Sequence, residues 1–215
     1  MSWLAALRGA PRKEQSTGGG TAVEDAPEVH RSLALPAVFT TLSRGHKLTV
    51  LDLGSAIGGN VERLSEYGCK LFIEDLYASK TSAEGINVDA DFFAQFLDPK
   101  AGTQFDVVLA WDLINYLDRK ELGHLGAWLR QCCRPGALLF ALVSIHKTIP
   151  AQPIRFRFND GDDELVYERR TTVERPGPRF APWDLMNAFQ GFEVDRSFLL
   201  RHGIQEYLLL REGAG

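Results

Sequence analysis

Four acidic residues close or directly follow short hydrophobic runs: Asp52 in VLDLGSAIGGN, Asp75 in KLFIED, Asp89 in INVDA and Asp112 in FDVVLAWD. If those runs are strands of one parallel sheet, their ends gather along the rim where open α/β folds bind ligands. Asp52 is followed by Gly54, Ser55, Ala56, Gly58 and Gly59. A tight turn needs one or two such residues. A longer run lets a ligand lie against the backbone, and the free N–H groups of a following helix start add polarity. Asp75 stands 23 residues beyond Asp52. An acid at the end of the neighbouring strand can accept hydrogen bonds from both hydroxyls of a ribose.

Further candidates for chemistry follow the later runs. Trp111 is placed to pack on a bound cofactor, and Asp112 to contact a ligand. Tyr116 lies one helical turn further and is expected to face an acceptor. His146 follows ALLFALVS and suits a general base by residue type. The plainer role for each is a pocket-rim or helix-capping residue.

The elements that must position these residues can be read from spacing. PAVFTTLSR, with Pro36 at its start and Gly45 behind it, reads as a short helix. KLTVLD and KLFIED read as buried strands around a helix from Asn60 to Tyr67 that turns Val61 and Leu64 inward and stops at Gly68. INV gives a short third strand, FDVVLAW a fourth and ALLFALVS a fifth. Asp118 caps the intervening helix, whose Leu122, Leu125, Leu129 and Cys132 share one face. Only YASKTSAEGINV separates Asp75 from Asp89, so a turn or a stunted helix is expected there.

Beyond Ser144, IRFRF and ELVYERRTTV flank Asn159-Asp160-Gly161, a strong hairpin signal. PWDLMNAFQ follows as a helix. The last strands, FEVDRSFLLR and IQEYLLLRE, are joined only by His202-Gly203. Parallel neighbours need a crossover of a dozen or more residues, so these two must be antiparallel. The expected fold is α/β: a doubly wound, mostly parallel, seven-stranded Rossmann-like sheet with a C-terminal antiparallel hairpin. It should occupy residues 30–215 behind a flexible tail over 1–29, with a hairpin insert at 150–180 lying over the open edge as a substrate lid that favours an acidic acceptor, a solvated hairpin or a homodimer contact.

Two cofactor classes use a small-residue turn with an acid on the next strand: dinucleotides and S-adenosylmethionine. The pyrophosphate fingerprint G-x-G-x-x-G needs glycine at 54, 56 and 59, and Ala56 breaks it. Over about residues 36–211 the chain resembles the class I S-adenosylmethionine-dependent methyltransferases. Asp52-Leu53-Gly54-Ser55-Ala56-Ile57-Gly58 is similar to their first motif, with alanine in the middle glycine position. Their ribose-binding acid corresponds to Asp75, with Glu74 as the neighbouring alternative, and their adenine-contacting pair resembles Asp89-Ala90. FDVVLAWDLINYL, RPGALLFALV and the closing QEYLLLR resemble later motifs of the same family.

The resemblance implies S-adenosylmethionine as cofactor and methyl transfer to an acceptor, expected to be a small molecule. Methyl transfer is an in-line displacement that needs alignment and desolvation first, and a base only if the acceptor has a proton to lose. The short second crossover favours a rival reading, a binding or regulatory module that keeps the fold with reduced or no catalysis. A nicotinamide-dependent oxidoreductase is a third reading, disfavoured by Ala56 and the final hairpin.

At 215 residues, 45% hydrophobic and 24% charged with net charge −4, the composition suits a globular domain with no general pull towards nucleic acid. In the insert, Phe156, Phe158 and Tyr167 interleave with Arg155, Arg157, Arg169 and Arg170. Asp160, Asp162, Asp163, Glu164, Glu168 and Glu174 cancel most of that charge. No apolar run approaches the roughly 20 residues needed to cross a bilayer. Cys69, Cys132 and Cys133 have neither disulfide-framework nor zinc-ligand spacing. Neither a metal, a secretory signal nor a stable membrane anchor is expected, and the expected location is cytoplasmic.

Overall fold

The computed structural model describes residues 27–44, 47–82, 88–95 and 102–213, so the expected tail lies almost wholly outside the described residues. In chain order the elements are β1 (Glu28–Arg31), α1 (Leu35–Arg44), β2 (Thr49–Asp52), α2 (Gly58–Glu66), β3 (Lys70–Ile73), α3 (Leu76–Ser82) and α4 (Ala90–Ala94). Then come β4 (Phe105–Trp111), a 3-10 turn (Leu113–Tyr116), α5 (Arg119–Cys132), β5 (Cys133–Ser144) and β6 (Thr148–Pro150). β7 (Arg155–Phe158), β8 (Glu164–Glu168), β9 (Glu174–Pro176), α6 (Pro182–Ala188), β10 (Phe192–Leu199) and β11 (Ile204–Arg211) complete the chain.

The main sheet has the order β10-β11-β5-β4-β2-β3. Its strands β5, β4, β2 and β3 are parallel, whereas β11 runs antiparallel to β5 and β10 antiparallel to β11. This is an α/β fold with a mixed sheet, and the closing hairpin is antiparallel, as a short connection required, although residues 200–203 rather than His202-Gly203 alone form it. The strand count differs from expectation: the described sheet has six strands, not seven. Most of INV lies outside the described residues, and Val88 is buried without strand pairing. β3 is therefore the edge of the described sheet, and the stunted crossover after it is the seven-residue α3.

The central strands are apolar on both faces because both faces are covered. Along β4, Val108 and Ala110 join the cluster built with α5 and α6, through Leu122, Leu125, Leu129, Leu185 and Phe189. Val107, Leu109 and Trp111 point the other way, into a cluster with Phe39 of α1 and Leu64 of α2. α5 starts from the expected cap. The Asp118 carboxylate accepts from the Lys120 and Glu121 N–H groups, and Glu121 reaches back to the Asp118 N–H.

The insert belongs to this second cluster. Its hairpin β7–β8 takes β1 as a third antiparallel strand, and Phe156, Phe158, Leu165 and Tyr167 are buried with Phe39 and Trp111. Asn60, in the first turn of α2, holds β7 as a strand would. Its amide donates to the Phe156 carbonyl (2.9 Å) and its carbonyl accepts from the Phe158 N–H (2.9 Å). β1 begins at Glu28, two residues before the expected boundary. The chain leaving it is fixed by buried Glu206 of β11, whose carboxylate accepts from the N–H groups of Leu33 and Ala34 at the start of α1.

Candidate functional site

β2 and β4 end side by side, which places Asp52 against Trp111. Asp52 is 2% exposed. Its Oδ1 accepts from the Gly54 N–H (2.9 Å) and from the Trp111 Nε1–H (2.6 Å). Burial pushes the carboxyl up to about 6, the two donors oppose that rise, and the nearby Asp75 charge adds to it.

Trp111 reaches this position through unusual backbone. The β4–β5 register slips between Leu109 and Trp111, and Trp111 has φ 48°. A positive φ is an outlier for a bulky side chain. The indole lies over Gly54, where an added Cβ would meet Trp111 Cδ1 at 2.7 Å. Phe156 stacks parallel to the indole at 5.8 Å, and Phe140 and Phe158 flank it.

What remains above the turn is a narrow cleft of about 30 Å³, room for a water or two. Its walls are Leu53, Gly54, Ser55 and Ile57 of the turn, Asp75 and Tyr77 after β3, Trp111 to Leu113, and Pro153, Ile154, Phe156 and Arg170 from the insert. A second cavity of about 330 Å³ adjoins it, within the size range of small-molecule sites. Asn115, Tyr116, Ser144, His146, Tyr167 and His202 are among its walls. Asp112 and Ile154 line both spaces, and the Asp112 carboxylate accepts from the Ile154 N–H (3.0 Å), so this pair is the partition between them. Burial pushes Asp112 up to about 7, against the lowering effect of that hydrogen bond.

The other two catalytic candidates line the second cavity, each with one polar atom already engaged. The Tyr116 hydroxyl lies 3.0 Å from the Pro150 carbonyl and 2.9 Å from that of Gln152, and its single proton serves one of them at a time. Burial raises its pKa far above the usual phenol range, so it remains a neutral donor. His146 donates from Nε2 to the His202 carbonyl (2.8 Å). That tautomer leaves Nδ1 as the proton acceptor. The Nε2 end of the His146 ring comes close to Gly203, whose φ of 75° and missing side chain permit the approach.

Of the cofactor-contact candidates, the fold brings Gly54, Ser55, Asp75 and Trp111 to the cleft, with Asp52 beneath Trp111. Ala56 and Gly58 belong to the turn and the start of α2 without lining the cleft. Glu74 accepts from the Ser79 hydroxyl (3.1 Å). Asp89 caps α4, accepting from the N–H groups of Asp91 and Phe92 at 3.1 Å, and Ala90 is the first residue of that helix. Glu74 and Asp89 stand outside the cleft walls among the described residues. The sequence placed the insert over the open edge and named Phe156, Tyr167 and Arg170 in it without making them walls of a site; Ile154, Asn115, Ser144 and His202 were not anticipated. The alternation of Phe156, Phe158, Leu165 and Tyr167 was the available signal that the hairpin buries one face.

No protein-family model matches this chain, and no curated protein matches it. Solved structures align with it at low identity. A glycopeptide N-methyltransferase, MtfA, complexed with S-adenosyl-L-homocysteine, aligns at 17% identity over 85% of this chain and 91% of its own, with TM-score 0.47. An S-adenosylmethionine-dependent methyltransferase from Clostridium acetobutylicum aligns at 11% over 83% and 90%, with TM-score 0.47. Another from Methanosarcina mazei aligns at 14% over 83% and 87%, with TM-score 0.40. Likenesses at this level assign neither ligand nor reaction to the cleft. Among the described residues no group of three or more His, Cys, Asp or Glu is placed to hold a metal ion, and no helix is long and apolar enough to cross a membrane.

Proposed function

We propose that this chain binds S-adenosylmethionine above the Gly54 turn and directs methyl transfer to a small molecule held in the second cavity. The observation that carries this reading is the adjacency of two spaces, one floored by the turn and rimmed by Asp75, the other of about 330 Å³, with Asp112 and Ile154 as walls of both. The residues fit the cofactor by type: small residues at the strand end and a partly exposed carboxylate at the end of the next strand. When bound, that cofactor supplies an electrophilic methyl group on a sulfonium.

The chain's own contribution is alignment and exclusion of water. Asp75 is placed to accept from ribose hydroxyls. Ile149, Pro150, Ile154 and Ile204 give the second cavity apolar wall, while Tyr116 and Asn115 hold the backbone around it. Asp112, poised near neutrality, and His146 Nδ1 can each take a proton from an acceptor that carries one.

A second reading has its own observation: with Trp111 over Gly54, the 30 Å³ cleft holds no nucleoside. On that reading the chain keeps the fold as a binding or regulatory module. Calorimetric titration with S-adenosylhomocysteine, S-adenosylmethionine and NAD separates the readings. The methyl-transfer reading expects saturable binding of both adenosyl compounds and turnover against a metabolite panel. Absence of binding by either adenosyl compound moves the assignment to the module, as does binding without turnover, and binding of NAD alone overturns both.

A further inference from the structure

We propose that Trp111 is an autoinhibitory latch: its indole closes the cleft by binding Asp52 and covering Gly54, and must leave both before a nucleoside cofactor can seat. In naming that ligand the proposal rests on the function proposed above; the latch itself rests on geometry. Three features point to a displaceable closure. The backbone at Trp111 is held at φ 48°, and strained residues of this kind cluster at switches and ligand clamps. The only side-chain hydrogen bond of the indole among the described residues is its N–H to Asp52 Oδ1, an acceptor that a donor on a ligand can satisfy in its place. Finally, the three nearest atoms that an added Cβ at Gly54 would meet all belong to Trp111 and Asp52, so the missing side chain there serves the closed arrangement.

The closing wall is anchored to the same partition. Phe156 stacks on the indole, and two residues before it the Ile154 N–H donates to Asp112. The hydroxyls of Tyr77 and Tyr116 hold the carbonyls of Ala151, Pro150 and Gln152 just upstream. Asn60 fixes the downstream end at Phe156 and Phe158. The wall is therefore pinned at both ends, which leaves the Trp111 side chain as the part that moves.

The latch and a permanent cofactor platform predict opposite signs. If the open form is a minor state populated at roughly 0.1–10%, apparent affinity is reduced by that fraction. Trp111→Ala should then tighten S-adenosylhomocysteine binding by about tenfold or more, measured by calorimetry on the full chain. Trp111→Phe, which keeps an aromatic ring and removes the N–H, should tighten it by less. Unchanged or weaker binding in both variants overturns the latch. If neither the parent chain nor the variants bind, amide hydrogen exchange decides. Faster exchange in the Trp111→Ala chain confined to the Gly54 turn that the indole covers, with α5 amides unchanged, upholds the latch and removes the nucleoside as its ligand. Exchange unchanged at the Gly54 turn, or raised equally in α5, overturns it.

Discussion

The Trp111 indole N–H lies 2.6 Å from the same Asp52 oxygen that accepts the Gly54 backbone N–H. Strand end, glycine turn and aromatic side chain are thus one hydrogen-bonded unit, and the small residue that a ligand would exploit is covered by the chain itself. The glycines of this turn are consequently not equivalent. At Gly54 an added Cβ would meet Trp111 Cδ1 at 2.7 Å and Nε1 at 3.1 Å, while at Gly58 it would meet nothing within 4 Å.

Gly54→Ala should therefore destabilise the protein by about 1–3 kcal/mol, the usual cost of forcing atoms into a filled core. Gly58→Ala, at the start of α2, should be neutral or stabilising by up to about 1 kcal/mol through helix propensity. Urea denaturation of both variants checks the pair. The Gly54 cost should shrink in a Trp111→Ala background, because residues in contact couple.

Much of this fold was legible in the sequence, for identifiable reasons. FDVVLAW became β4 and Asp118 capped α5 because a long apolar run and a capping box are local signals. The antiparallel end of the sheet followed from the shortness of the connection before β11 alone. β1 was not legible: EVHR is short and polar, and it becomes a strand only by pairing with β8, more than 130 residues away. The site was half legible. Position along the strands gave Asp52, Gly54, Asp75 and Asp112. That Trp111 would cover the turn depended on Phe156 arriving from the insert, a long-range contact that no spacing encodes.

Asn60 tests whether the insert is core or lid. It is 2% exposed, and its side chain completes two backbone hydrogen bonds of β7. Asn60→Ala leaves the Phe156 carbonyl and the Phe158 N–H without that partner, at about 1–3 kcal/mol for each buried group. The expected outcome is a loss of about 2–4 kcal/mol by denaturation, with exchange at Phe158 rising before that of the central strands. A loss within about 0.5 kcal/mol, the range of surface changes, would mark the insert as a loosely attached lid.

Asp75→Ala tests the nucleoside reading at its rim. The carboxylate lines the cleft and also accepts from the Ala78 N–H (2.9 Å) at the start of α3. Losing a charged hydrogen bond to a ribose should weaken S-adenosylhomocysteine binding by about 1–3 kcal/mol. Loss of the α3 contact should lower stability by about 0.5–2 kcal/mol. Asp75→Asn separates the two effects, because its carbonyl can still accept from Ala78 while the charge is gone. Calorimetry should show weakened binding in both variants, and denaturation should show lost stability mainly in Asp75→Ala. Equal affinity in all three proteins would place the ribose elsewhere.

Asp112 gives a prediction whose sign is set by burial. Its carboxyl is raised from 3.8 to about 7 in the folded protein, and Asp52 from 3.8 to about 6. A raised carboxyl means that the folded state holds its proton more tightly than the unfolded chain. Each contribution is then full below pH 4 and is lost as pH rises towards the folded value. Over that window Asp112 should withdraw up to a few kcal/mol, with the steepest loss finished near pH 7. Asp112→Asn cannot ionise, and its side-chain carbonyl can still accept from the Ile154 N–H. In urea denaturation from pH 5 to 8, the parent chain should lose more stability than the variant. The variant's remaining decline should end near pH 6, where Asp52 has finished titrating. Parallel curves for the two proteins would mean that Asp112 is solvated, and that the partition between the two cavities is open to water.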